Sequence, residues 1–313
     1  MFYNRFMSEK IYNWNDVCRD VDDLTPKEKD FDDVYTSDDI KRDLNHIRGI
    51  KIGKGILPEQ GISDSRIQEY AVAQEIGEMD WFHEQKQFDR LFPDGEGKES
   101  MVFLSSEYDD SVNHVDAVCL VCNADTDFKP VPFALDMTYN TDSDGLSKKM
   151  SWRHYDRDIN APGFSSVKYF EDNFSYNPLI EKGRIAAMPR FVVGFSPEIS
   201  QEITELRMSS TGLMSTKRDE LSAKAKWCVL RELKAQSEQM LKFLEGHHLE
   251  NSKLEKLYND AKALDLFFGN AISAATEADE GHKDWINYPQ GDSVYGAIMS
   301  KVEERSMYDG RDK

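Results

Sequence analysis

HVDAVCLVC (residues 114–122) and VPFALDMTYN (residues 131–140) are two apolar runs of strand length joined by a polar link, and each carries one aspartate, Asp116 and Asp136. Short apolar runs rich in β-branched residues and bounded by turn residues read as strands. Aspartate is depleted in strands and costly in apolar surroundings unless its charge is compensated. Alternation puts Asp116 on one face with Val118 and Leu120, and Asp136 with Ala134 and Thr138. Two such exceptions on neighbouring strands point to a shared purpose: either metal ligation or structural bonding to nearby backbone, Lys or Arg. Pro132 belongs at a strand start or on an unpaired edge.

Working outward, Ser63 opens a helix over 63–88 whose apolar residues Ile67, Tyr70, Ala71, Ala73, Ile76, Met79 and Phe82 recur at helical spacing. Glu69, Glu75 and Glu78 lie along it. PDGEGKES is a turn, and a short strand over 101–106 precedes the hairpin. After it, NTDSDGLSKKMSW leads into a short helix carrying Lys148 and Lys149, followed by strands over 165–170 and 189–195. Asn140, Asp142, Asp144 and Gly145 mimic the first half of a calcium loop, but its twelfth position is Ser151 rather than a bidentate Glu, so an Asx-type turn is the plain reading. Ser196 caps a helix with Pro197 at its first position. Apolar stripes over 215–245 and 251–275, joined by GHHLE, predict an antiparallel helical hairpin. A short amphipathic piece over 294–304 ends the pattern.

The expected fold is therefore α+β: a mixed central sheet of about five strands flanked by helices, followed by the hairpin. Residues 1–60 read as an Asp-rich arm that either docks on the core or stays mobile, as a solvated arm or as one covering a basic groove; 61–212 form the core and 213–313 the helical region and tail.

With 39% hydrophobic and 31% charged residues in 313, the composition suits a globular chain able to bury a core. No apolar run is long enough to span a bilayer, and MFYNRFMSEK lacks the features of a signal peptide, so no membrane and a cytoplasmic location are expected. Cysteines at 18, 119, 122 and 228 are too scattered for a disulfide framework, and Cys119 and Cys122 read as strand thiols rather than metal ligands. The net charge of −19 opposes nucleic-acid binding in general, but it is uneven: residues 61–145 carry −14 and residues 146–195 carry +3.

The order helix with Glu, strand, strand with Asp, strand with Asp, then Lys resembles the core of the PD-(D/E)XK, or restriction-endonuclease-like, nucleases. That resemblance implies an acidic residue on the first helix, an Asp on the second strand and an acid-x-Lys on the third around a divalent cation, Mg²⁺ or Mn²⁺. It casts Asp116 and Asp136 as ligands, Glu75 or Glu78 as the helical acid, and nucleic acid as the substrate. Thr138 stands where that family places its lysine, so Lys148 or Lys149 would have to reach back from the following helix; without either, the domain would be catalytically degenerate. The chain also looks like a bacterial family, common in candidate-phylum genomes, that shares V-D-A-V, F-A-L-D-M-T, a downstream K-K, V-K-Y-F and M-P-R-F-V-V-G over roughly 110–245; that likeness concerns layout and brings no activity with it. The alternative is a non-catalytic interaction protein that engages a protein partner through its helical hairpin and acidic surface. No P-loop, G-x-S-x-G, dinucleotide fingerprint or H-E-x-x-H is present.

Overall fold

A computed structural model describes residues 14–55, 63–79, 81–82, 100–122, 130–139, 141–150, 163–171, 182–208, 216–246 and 252–308. Residues 83–88, the turn before Ser100, Asn140, His247 and His248 lie outside these, as do the side chains of Cys122 and Lys148. The helices are α1 (Trp14–Leu24), α2 (Ser37–Gly53), α3 (Asp64–Glu78), α4 (Ser143–Met150), α5 (Pro197–Met208), α6 (Thr216–Glu245), α7 (Ser252–Ala278), α8 (Lys283–Asn287) and α9 (Ser293–Tyr308). The strands are β1 (Ser100–Leu104), β2 (Ala117–Cys122), β3 (Pro130–Thr138), β4 (Phe164–Phe170) and β5 (Gly183–Gly194).

The strands form one mixed sheet in the order β1-β2-β3-β5-β4. β1, β2 and β3 pair as an antiparallel meander, β5 runs parallel to β3, and β4 runs antiparallel to β5. This is the expected α+β architecture of a five-strand mixed sheet flanked by helices. β5 pairs with β3 only from Ala134 onward, so Pro132 occupies a stretch of β3 where its missing N–H costs no ladder bond on that side.

Alternation sorts the sheet into two faces. Ala117, Cys119, Phe133, Leu135, Phe191 and Val193 turn toward Val72, Ala73 and Ile76 of α3 and toward Trp227, Leu230, Leu264, Phe267 and Phe268 of α6 and α7. The opposite face carries Val118, Leu120, Ala134 and Met188, continued by Val192 against Leu146 and Met150 of α4 and Val294, Ile298 and Val302 of α9. The C-terminal pair is antiparallel, since Trp227 Nε1 donates to Asp279 Oδ2 at 2.9 Å near one end and Lys234 Nζ to Asp265 Oδ1 at 2.7 Å further along. No described helix is long and apolar enough to cross a membrane.

Residues 14–55 of the acidic arm are helical and packed on the core. Phe31 is fully buried against the Tyr169 ring, and Asp43 pairs with Lys168 and accepts from Tyr169 Oη at 2.6 Å. Lys182 binds Asp33 at 3.1 Å. Alternation and helical stripes could not decide between a docked and a mobile arm, because the docking rests on a few apolar anchors and on acids matched one by one to basic strand residues.

One core carboxylate stands apart. Glu232 of α6 is fully buried; its Oε2 accepts from the Gly194 N–H at 2.9 Å, while Oε1 has no partner among the described residues. Burial pushes its pKa well above the ordinary value, the Gly194 N–H opposes this, and the Asp292 charge adds to it. A group with a raised folded-state pKa contributes stability that is complete below its unfolded value and is lost as pH rises through the folded one. Glu232→Gln is therefore expected to raise the alkaline Tm by a few degrees and leave the acidic Tm nearly unchanged, as scanning calorimetry across pH would read.

Candidate metal centre

The carboxylates of α3 divide between two sides of the helix, because at about 3.6 residues per turn Glu75 lies about 120° and Glu78 about 180° around the axis from Glu69. Glu75 is fully buried and accepts from Arg218 Nε at 3.1 Å and from the Arg207 guanidinium at 2.9 Å. Glu78 accepts from Arg207 at 2.7 Å and Arg218 at 2.9 Å. Burial works to raise the Glu78 pKa, and the two arginines outweigh it, so the carboxyl lies below its usual range. Both glutamates expected as the helical acid thus sit in a clamp joining α3 to α5 and α6. The α3 carboxylate that comes near Asp116 is Glu69.

A second acid comes from the segment between β1 and β2, where residues Asp109–Asn113 form a single π-helical turn. Asp109 fixes it: this buried carboxylate accepts from Ser106 Oγ at 2.8 Å, Asn113 Nδ2 at 2.6 Å, and the backbone N–H groups of Lys168 at 2.8 Å and Tyr169 at 3.0 Å. His114 closes the turn in the left-handed conformation at φ 53°. The chain then enters β2 through Asp116, whose Oδ2 accepts from the Met137 N–H at 2.6 Å just beyond the start of the β2–β3 ladder. Arg66 bridges helix and loop, bonding the Asp116 carbonyl at 3.4 Å and the Glu69 carboxylate at 3.3 Å.

Glu69, Asp110 and Asp116 each offer a carboxylate oxygen within 4.8 Å of the others. Burial, then the charge of Asp110, pushes Glu69 up to about 7, with Arg66 holding it down in part. Burial raises Asp110, and burial followed by Glu69, Asp136 and Asp110 raises Asp116 well above the ordinary range. Three hard oxygen donors, desolvated and mutually repelling, fit a small divalent cation, whose charge would relieve both costs.

Asp136 lies beside this cluster but is differently held. Lys149 Nζ, from α4, reaches Asp136 Oδ1 at 2.5 Å and the Met137 carbonyl at 2.6 Å, and Arg190 of β5 pairs with Asp136 Oδ2. Burial opposes the Lys149 charge, and Asp136 and Asp116 outweigh it, so its pKa is raised. Lys149 thus brings an ammonium to the end of β3 where Thr138 occupies the lysine position of the resembled motif. Asp142, from the calcium-like stretch, instead accepts from the Gly145 N–H at 3.0 Å, the Asx-type turn opening α4.

The chain matches no family model, no curated protein and no solved structure. The site therefore rests on its own geometry. Glu69 was visible as one of three acids on its helix, but nothing in an amphipathic stripe says which acid faces a strand end. Asp110 sits in a π-helical turn that no periodicity signals. Arg190 carried the same mark as the two aspartates, a charge inside an apolar strand, and was legible on that ground. On the helical hairpin, Leu266 is the one exposed large apolar side chain among the described residues.

Proposed function

We propose that Glu69, Asp110 and Asp116 hold a divalent cation and that the chain hydrolyses phosphodiester bonds of nucleic acid in the manner of the PD-(D/E)XK nucleases it resembles. The observation that carries this reading is the convergence of the three carboxylates, from α3, the π-helical turn and the start of β2, within 4.8 Å of one another. A cation bound there supplies Lewis-acid polarisation of a phosphate and a lowered pKa for water. The protein's own part is electrostatic and geometric. Lys149, fixed at 2.5 Å from Asp136, places positive charge beside the carboxylates, where it offsets charge developing on phosphate oxygens. Arg66 and the Met137 N–H orient Glu69 and Asp116, so little reorganisation is needed on binding.

Asp116→Asn keeps an oxygen for the Met137 N–H and removes the charge. It is expected to weaken Mg²⁺ or Mn²⁺ binding by at least about 10–100-fold and abolish cleavage of single- or double-stranded DNA or RNA, with Tm within a few degrees of wild type. Wild-type protein that binds neither ion by calorimetry, and cuts none of these substrates, would sink the reading. Because metal binding draws protons off raised carboxyls, affinity is expected to weaken as pH falls through about 7.

A further inference from the structure

The strand-borne Asp136 is nearly fully buried, and both of its oxygens are already taken by cations of the protein. Arg190 is not a casual partner. Its Nε donates to the His114 carbonyl at 3.0 Å and its Nη1 to the Lys149 carbonyl at 3.1 Å, leaving Nη2 for Asp136. The guanidinium thus ties β5 to the segment before Asp116, to the last turn of α4 and to β3. Its planar fork matches this geometry. A metal ion seeking Asp136 would have to displace a guanidinium that two backbone carbonyls hold in place.

We infer that this centre takes a single divalent cation, on Glu69, Asp110 and Asp116, and that Arg190 together with Lys149 fills the position a second cation would take on Asp136. The inference rests on the cation-site reading above. Charge supports it independently of bond geometry. The carboxylates of Glu69, Asp110, Asp116 and Asp136 face the cations of Arg66, Lys149 and Arg190, with Lys54 also acting on Asp110. When all are ionised the set is close to neutral, so one doubly charged ion leaves a modest positive excess that suits a phosphate, while a second would add uncompensated charge in a desolvated site. Arg190 is accordingly a positioning residue: it keeps Asp136 out of the ligand set and sets where Lys149 stands.

The test is a Mn²⁺ titration of the full chain, read by calorimetry for stoichiometry and by electron paramagnetic resonance for the bound ion. Wild type is expected to bind one equivalent. Arg190→Gln frees one oxygen of Asp136 and is expected to bind two, the second lost again in the Arg190→Gln/Asp136→Asn double variant. Asp136→Asn alone is expected to keep one equivalent, which tests the same point should Arg190→Gln fail to fold. Two equivalents in wild type, one in folded Arg190→Gln, or none in folded Asp136→Asn would each overturn the inference while leaving the cation site standing. No binding by wild type overturns the cation site itself, and this inference with it.

Discussion

Gly194→Ala is expected to cost about 3 kcal/mol or more, at or beyond the upper end of the usual overpacking range, although it adds only one methyl group. Gly194 ends β5 opposite Thr138 of β3. A Cβ there would lie 2.2 Å from the Thr138 carbonyl oxygen and 2.9 Å from the Val294 side chain. The valine can turn, but the carbonyl belongs to the parallel ladder and can retreat only if the two strands part. Parting them disturbs two further features. The Gly194 N–H holds Glu232 in the core, and Met137, one residue before Thr138, orients both Asp116 and Lys149. Urea unfolding should therefore show a lower midpoint with an unchanged slope, and the folded protein should bind Mn²⁺ more weakly. Gly269 gives the contrast: in the middle of α7 an added Cβ meets only Lys234 side-chain atoms, the nearest at 3.9 Å. Gly269→Ala is expected to stabilise by up to about 1 kcal/mol through helix propensity. A Gly194→Ala variant as stable as wild type would mean that β3 and β5 do not approach as described.

The sheet and the C-terminal helices were legible because their residues obey one rule over many positions. The continuous apolar runs in 114–122 and 131–140, and the stripes on α6 and α7, survive any single exception. Where a rule is interrupted, reading fails. Strand β5 starts at Gly183, not near Pro189, because Ala187 adopts φ 56° and the pairing with β4 shifts register around Val167. In the N-terminal region Val21, Phe31, Ile40 and Ile47 are buried but too sparse to form a stripe, and the acids Asp33 and Asp43 that accompany them pair with Lys182 and Lys168 across more than a hundred residues. No local pattern encodes a pairing of that range. The same limit applies to the site. Asp116 and Asp136 announced themselves as charges inside apolar runs, and Lys149 was one of two lysines left open; which glutamate of α3 completes the group depends on the rotation of that helix about its axis, and Arg207 and Arg218, which hold Glu75 and Glu78, come from elements that follow much later.

Glu75→Ala is expected to destabilise the protein by about 3–5 kcal/mol while leaving Mn²⁺ stoichiometry and affinity in the folded protein unchanged. Removing one member of a buried ionic cluster leaves its partners desolvated and underpaired, and that cost commonly exceeds what the interaction contributed. Glu75 is fully buried, and Arg218 grips it through both Nε at 3.1 Å and Nη2 at 2.8 Å. Without it, two largely buried guanidinium groups share the partly exposed Glu78. Because the damage comes from stranded charge, removing charge on both sides should restore much of the loss: Glu75→Leu with Arg218→Met is expected to be more stable than Glu75→Ala, a cycle that chemical denaturation can close. The pH dependence carries the same signature. Glu78 has a depressed folded-state pKa, so its contribution is complete above the ordinary carboxylate range and disappears as pH falls through the folded value. Wild type should therefore lose stability toward acid more steeply than a variant lacking Arg207 and Arg218. A folded Glu75→Ala protein that binds no Mn²⁺ would show instead that Glu75 serves the metal directly, and the clamp joining α3, α5 and α6 would then have to be reassigned as part of the site.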